Sequence, residues 1–235
     1  MFHGRWFNVM VFGISGMLIA ISAQGHEGPD PLSHWYLQQQ YIQQRVLTAR
    51  LGPDGQFAST PSFVMDATGE AALFVGRNPQ CLIAQDFNKV KKFLPTKALT
   101  VSAWISVESP KPWGGIIGCL QDNGDFEKGW ILGYDEKGFT FGLSTVGADD
   151  GDGVMTYFKS NTEYEIGKLY HVAVVYDGKT TEIFINGKRD SSGDQQHGDI
   201  LYPSTASYVI GAYKDDDETH PHHGRIREIK VYDLA

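Results

Sequence analysis

Cysteine is scarce in this sequence: the 235 residues include only two, Cys81 and Cys119. The chain is therefore not one of the small scaffolds that depend on several disulfides for stability. In an exported protein, an even pair of cysteines favours one disulfide between them. The alternative is two buried thiols, because a β domain of this size does not need a covalent crosslink.

Positive charge is also in short supply. Lysine and arginine total 20 residues against 28 aspartate and glutamate residues, so the formal net charge is −8. Binding to nucleic-acid phosphates requires clustered positive charge. The composition therefore argues against a nucleic-acid partner and leaves metal cations and neutral ligands as candidates.

The one extended apolar run covers residues 9–21, and it is shorter than the roughly 20 residues that a membrane helix needs. Arg5 precedes the run, and the small residues Ala23 and Gly25 follow it. This order is typical of a secretory signal peptide over residues 1–25. We expect a secreted, periplasmic or cell-envelope protein with no membrane insertion after cleavage. An uncleaved anchor is the alternative.

Glycine is abundant, at 27 residues, and no long amphipathic helix is evident. The clearest pattern lies in residues 164–189, YEIGKLYHVAVVYDGKTTEIFINGKR. Here alternating apolar segments are separated by Asp177-Gly178 and Asn186-Gly187, the strongest short-range signals for a hairpin. Such a hairpin must cover its apolar face with other strands, so the sequence predicts an all-β protein.

Further strands are predicted wherever β-branched and aromatic residues alternate between turn signals. Turn residues recur about every 8–12 positions, which favours a sandwich or barrel over βα units. Residues 26–69 are predicted to be an N-terminal lead-in with a first edge strand at 34–37, although a short helix over 38–47 is a rival. The other predicted strands cover residues 71–75, 81–84, 99–107, 115–120, 129–134, 139–143, 170–176, 181–185, 207–212 and 224–232.

Six segments, in order, carry a family resemblance: LTVSAWI (Leu99–Ile105), GWILGY (129–134), LYHVAVVYDG (169–178), IFINGK (183–188), YVIGAY (208–213) and GRIREIKVYD (224–233). Together they resemble the laminin-G-like jelly roll of the concanavalin-A-like lectin/glucanase superfamily. The resemblance implies an antiparallel two-sheet jelly-roll sandwich over residues 70–235, with loops at its rim. The family includes lectins, adhesion modules, pentraxins and hydrolases, so the fold alone does not give the function.

The resemblance to pentraxins also implies a calcium site. Asp122 and Asn123 match an Asp-Asn pair that binds calcium in that group, and Asp215 matches a ligand after a later strand. Oxygen ligands from separate loops suit calcium. Two departures stand against the match: other ligand positions appear here as Tyr213 and Lys214, and Ser102 and Ala173 stand where pentraxins have disulfide cysteines. Solvated acidic loops are the alternative.

Several other residues are candidates for ligand contact. Asp149, Asp150 and Asp152 could hold a cation, although turn chemistry explains them equally well. The histidines of His220-Pro221-His222-His223 are a weaker candidate for zinc or copper. The aromatic residues that could stack on a sugar ring are Trp113, Trp130, Tyr134 and Phe158.

The sequence contains no Glu-x-Asp-x-x-Glu strand of the kind that glucanases of this superfamily use for acid catalysis. The nearest acidic pairs, Asp125 with Glu127 and Asp135 with Glu136, are interpreted as turn residues. We therefore predict a non-catalytic recognition domain for carbohydrate or an extracellular protein. The alternatives are an exported enzyme that acts on polysaccharide, by hydrolysis or by copper chemistry at an N-terminal His26, and a structural envelope component.

Overall fold

The computed structural model describes residues 28–77 and 80–235, so the predicted signal peptide and His26 lie outside the described residues. Two large antiparallel sheets pack face to face, which confirms the predicted all-β sandwich. In the described part of the chain, no helix is long and apolar enough to cross a membrane.

One sheet has eight strands. Its strands are β1 (Ser33–Tyr36), β5 (Ser62–Asp66), β6 (Gly69–Val75), β8 (Leu99–Ile105), β13 (Tyr170–Tyr176), β14 (Thr181–Ile185), β15 (Lys188–Gly193) and β19 (His223–Tyr232). The order across this first sheet is β15-β14-β13-β8-β19-β6-β5. Strand β1 pairs with the C-terminal half of β19, next to β6 on the same edge.

The second sheet has nine strands, in the order β12-β11-β10-β9-β16-β7-β4-β3-β2. Its strands are β2 (Ile42–Gln43), β3 (Val46–Leu47), β4 (Gly55–Phe57), β7 (Cys81–Ala84), β9 (Gly114–Asn123), β10 (Phe126–Tyr134), β11 (Gly138–Leu143), β12 (Thr156–Glu163) and β16 (Tyr208–Ile210). A separate hairpin joins β17 (Ala212–Lys214) to β18 (Thr219–Pro221). The helices are short: α1 (Phe87–Val90) and the 3-10 turns Gln39–Tyr41, Lys91–Phe93 and Val146–Ala148.

The strand residues that alternate between apolar and polar in the sequence also alternate between buried and partly exposed in the structure. In β8 and β13, every second residue is buried and the residues between them are partly exposed. Val101 and Val174 are fully buried and face each other across the strand pair. Each such side chain contributes about 1.5–3 kcal/mol by leaving water. The interior between the sheets is therefore dry, and ligands must be met at the outer faces or the rim.

The β17–β18 hairpin crosses the outer face of the second sheet. It can approach closely because Gly115 has no side chain: a Cβ there would lie 1.7 Å from the backbone nitrogen of Tyr213. Tyr213 then packs with Leu120, Ile131 and Met155 in a second, smaller apolar cluster. This crossing brings the end of β17 to the turn between β9 and β10, where the candidate site lies.

Residues 33–69 supply strands to both sheets rather than a single edge strand, because β1 and β5 join the first sheet and β2–β4 join the second. The short helix over 38–47 is not formed: a single 3-10 turn leads into β2 and β3. Strands β12, β15 and β18 were not predicted, since their polar residues carry no apolar alternation.

The predicted disulfide is wrong, because Cys81 and Cys119 are both free and buried. Cys81 lies on β7 and Cys119 on β9, and β16 separates these two strands. Two strand spacings amount to about 9–10 Å, whereas a disulfide requires Cα atoms less than about 7 Å apart. Burial raises the pKa of both thiols, that of Cys119 to about 12, so they behave as apolar core residues.

Candidate functional site

A pocket of about 240 Å³ opens at the rim, where the β9–β10 hairpin meets the β17–β18 hairpin. We call it the rim pocket. It combines aromatic rings with carboxylates, and none of its described lining residues is a lysine or arginine. The lining residues are Trp113, Asp122, Asn123, Gly124, Tyr157, Tyr213, Asp217 and Glu218.

The hairpin turn presents Asp122 and Asn123 to the pocket. Strands β9 and β10 stay paired as far as Asn123 and Phe126, so Asp122 and Asn123 lie at the end of a strand rather than in a loose loop. Gly124 takes a positive φ of 63° with open space around it, as this tight turn requires. The paired backbone therefore fixes the Cα positions of Asp122 and Asn123.

Two tyrosine hydroxyls hold the Asp122 carboxylate. Tyr157 donates to Asp122 Oδ2 at 2.5 Å, and Tyr213 donates to the same oxygen at 3.1 Å. Burial, together with the nearby carboxylate, raises the pKa of both tyrosines far above its ordinary value. Both hydroxyls therefore stay protonated, and they leave Asp122 Oδ1 as the oxygen with capacity for a ligand.

Asp215 lies behind this pair and supports the loop. The Tyr213 hydroxyl is 3.3 Å from Asp215 Oδ2, so one hydroxyl links the Asp122 and Asp215 carboxylates. Asp215 Oδ1 accepts from the backbone N–H groups of Asp217 and Glu218. Asp215 is 3% exposed, and burial raises its pKa. The structure thus brings together Asp122, Asn123 and Asp215, although Asp215 does not line the pocket itself.

Asn123 carries an unused acceptor. Its side-chain N–H group donates to Gln121 Oε1 at 2.9 Å, which fixes the amide orientation. Gln121 in turn contacts Asp216 on the β17–β18 loop through both its amide atoms. The Asn123 Oδ1 atom is buried and has no hydrogen-bond partner among the described residues. A buried acceptor without a partner is costly, so a cation or an N–H donor of a ligand would satisfy it.

Trp113 forms the open side of the rim pocket. Its side chain is 44% exposed, and its ring lies 5.1 Å from that of Tyr157, tilted by 59°. The other aromatic candidates have structural positions instead: Trp130, Tyr134 and Phe158 belong to the buried core. Sequence reasoning missed Tyr157 because it lies on the unpredicted strand β12.

The remaining acidic candidates form turns. Asp149 accepts from the backbone of Gly151, and Asp150 accepts from that of Asp152. Asp149, Asp150 and Asp152 are exposed and do not line the rim pocket. Their positions follow from Asx-turn chemistry, which was the alternative interpretation.

The carboxylates nearest to a glucanase pattern also have turn contacts. Asp135 caps its own turn by accepting from the backbone of Lys137 and Gly138. Glu127 is not a turn residue: it lies on β10, paired with Asp122 on β9, and its carboxylate accepts from the backbone of Met155. The side chains of Asp125 and Glu136 are exposed.

The histidine group does not form a cluster. His220 pairs with Glu218 at 3.0 Å on the surface, whereas His222 is fully buried. Within the described residues, no three side chains of histidine, cysteine, aspartate or glutamate are arranged to hold a metal ion. A cation at the rim pocket would therefore depend on Asn123 and on water to complete its ligands.

Comparison with known proteins decides the family. A family model described as the concanavalin A-like lectin/glucanases superfamily, of laminin-G type, matches residues 82–235, more than half of the chain. The chain belongs to this family.

The curated relatives are distant and much longer. Pappalysin-1 from Mus musculus and from Homo sapiens are each 24% identical over 176 residues. Each match covers 70% of this chain and 10% of the relative. The chain thus spans about a tenth of the length of these relatives.

Two solved structures show the same fold. Domain 4 of an extracellular arabinanase from Geobacillus stearothermophilus, in complex with arabinotriose, has a TM-score of 0.61 at 17% identity and covers 86% of this chain and 92% of that one. The CBM40 domain of a Ruminococcus gnavus sialidase, bound to α2,3-sialyllactose, has a TM-score of 0.53 at 14% identity. It covers 69% of this chain and 91% of the other.

Proposed function

We propose that this protein is an exported, non-catalytic recognition domain that binds carbohydrate at the rim pocket. The observation that carries the proposal is the composition of that pocket: an exposed indole and a tyrosine ring beside fixed carboxylate and amide oxygens. Aromatic rings cover the apolar face of a sugar, and a few placed polar groups orient its hydroxyls. The arabinanase and sialidase domains, which share the fold, are bound to oligosaccharides, and this supports the proposal.

We also propose calcium as a second ligand of the same site. The residues present suit it in part: Asp122 Oδ1 and the unpartnered Asn123 Oδ1 are hard oxygen donors in the pocket lining, and the Asp215 carboxylate lies behind them with its oxygens held by Tyr213 and the loop backbone. Calcium takes six to eight oxygens and accepts waters among them. A bound calcium would supply coordination sites for vicinal hydroxyls of a sugar.

A glycan array tests both parts of the proposal. The purified domain is applied with calcium and, separately, with EDTA, and the soluble oligosaccharides are checked for cleavage products. We expect retention of a subset of glycans without turnover, and weaker retention in EDTA. Release of shortened products would instead support the polysaccharide-acting enzyme.

The double variant Asp122→Asn/Asp215→Asn separates calcium from the sugar contacts. Asparagine keeps an acceptor for Tyr157 and for the loop backbone, so the fold should persist while the charge is lost. We expect this variant to bind equally well with calcium and with EDTA. A calcium response as large as that of the parent protein would remove these two residues from the cation site.

A further inference from the structure

The rim pocket has an outer lip that the proposed calcium site does not use. Asp217 and Glu218 are exposed and line the pocket on the β17–β18 side. The Asp217 carboxylate makes no side-chain hydrogen bond to any described residue, and Glu218 contacts only the partly exposed His220. Two carboxylates with spare acceptor capacity thus stand at the entrance.

The electrostatic surroundings of the lip are negative. Asp122 lies deeper in the same pocket, no described lining residue is a lysine or arginine, and the chain as a whole has a formal charge of −8. Clefts lined by one sign of charge concentrate ligands of the opposite sign. An acidic sugar would be repelled here, and a neutral sugar could donate hydroxyl hydrogen bonds to the carboxylates but would leave their negative charge uncompensated, whereas a cationic sugar would compensate it.

The aromatic wall favours a cation as well. The Trp113 ring is open to solvent and stands beside Tyr157. An ammonium group near an indole face is attracted by the negative potential of the ring electrons. The same ring can cover the C–H face of a sugar. One ligand class offers both features, a sugar ring and an ammonium group.

We propose that the rim pocket selects sugars with a free amino group, of the glucosamine type, over their N-acetylated and acidic counterparts. The ammonium group would lie between Trp113 and the carboxylates of Asp217 and Glu218, while the ring rests on the indole. The volume of about 240 Å³ is small for a ligand pocket, so one ring of an oligomer would enter. This inference rests on the proposed carbohydrate-binding function.

Calorimetric titration with two matched oligomers tests the inference. The glucosamine hexamer and the N-acetylglucosamine hexamer share one backbone, and only the first is cationic. The titration is run with EDTA at about pH 6, where carboxylates and amines are both charged, and at about 0.15 M salt, which screens distant charges. We expect the glucosamine hexamer to bind at least tenfold more tightly.

The double variant Asp217→Asn/Glu218→Gln should bring the two hexamers to similar affinity. The matched control Asp233→Asn/Glu136→Gln removes the same two charges from exposed positions outside the pocket, and it should keep the preference. Both substitutions are isosteric and lie on the surface, and melting curves verify that each variant is folded.

The outcomes separate this inference from the function on which it rests. Equal affinity for both hexamers, or an equal loss in the control variant, would overturn selection by the lip while leaving carbohydrate binding intact. If the glycan array retains no sugar with or without calcium, the proposed function fails as well. Tighter binding of sialyllactose than of the glucosamine hexamer would also contradict the inference.

Discussion

At the scale of single residues, the most unusual side chain is His222. It is fully buried between the rings of Phe74 and Tyr134, and neither ring nitrogen has a hydrogen-bond partner among the described residues. Burial lowers the pKa of His222 to about 3, so the folded protein holds the neutral imidazole. An unfolded chain would protonate the same group near its ordinary value of about 6.5.

The protonation difference at His222 predicts a pH dependence of stability. Between about pH 6.5 and 3, His222 is protonated in the unfolded state but neutral in the folded state. The free energy of unfolding therefore falls as the pH drops through this window. His222→Phe should remove this loss, on the order of a few kcal/mol, because phenylalanine suits the apolar surroundings. Urea denaturation at several pH values measures it. The same pH slope in variant and parent would assign the loss to other groups.

Glu228 provides a contrast in a lower pH window. Burial alone would raise its pKa, but hydrogen bonds from His34 and Lys230 outweigh it and lower the pKa to about 2. Its stabilisation is present above its ordinary value of about 4.5 and is lost as the pH falls to about 2. Acid sensitivity above pH 5 therefore does not come from this carboxylate.

At the scale of elements, Arg225 on β19 connects three neighbouring segments. Its side chain, 11% exposed, binds Asp66 at the end of β5 and Glu108 after β8. It also donates to Ser106 Oγ and to the carbonyl oxygen of Gly167. An arginine with this many partners positions the loops at one end of the first sheet.

Loss of Arg225 should be far more costly than loss of an exposed arginine. Arg225→Met leaves Asp66 and Glu108 without their cation and leaves Ser106 Oγ and the Gly167 carbonyl oxygen without their donor, so it should lower the free energy of unfolding by more than the loss of an exposed arginine does. Arg189 is the control: its pair with Glu182 is 57% exposed on the arginine side, and Arg189→Met should cost less than about 1 kcal/mol. Chemical denaturation of both variants compares the two. Equal losses in the two variants would show that the contacts of Arg225 add no more stability than those of a surface arginine.

The elements also show how far the sequence predicts this fold. Strands β7, β13 and β14 were predicted to the residue, because β-branched residues alternate there between turn signals. Strand β12 was not predicted because its sequence, TYFKSNTE, mixes polar and apolar residues at the edge of a sheet. Asp122 and Asn123 could be found because they match the Asp-Asn pair of the pentraxin resemblance. The contact of Tyr213 with Asp122 could not, since it depends on a hairpin crossing Gly115 from a distant part of the chain.

At the scale of the whole molecule, the residues that stabilise the sandwich and the residues proposed to bind ligand lie in different places. The interior between the sheets is dry, and the hairpin β17–β18 covers part of one outer face. The proposed recognition site lies at the rim, where carboxylates and rings lie in one pocket. The opposite outer face has its own aromatic residue, Trp104, which stacks with Arg227 at 4.4 Å. Trp113 and Trp104 therefore mark two alternative surfaces at which a ligand could bind.

The most direct test of the rim pocket is a calorimetric titration that compares Trp113→Ala with Trp104→Ala. The ligand is the oligosaccharide that the array retains best, and melting curves verify that both variants fold. We predict that Trp113→Ala weakens binding at least tenfold, equivalent to about 1.4 kcal/mol, while Trp104→Ala binds like the parent protein. Loss of binding in Trp104→Ala with full affinity in Trp113→Ala would place recognition on the opposite face and contradict this account.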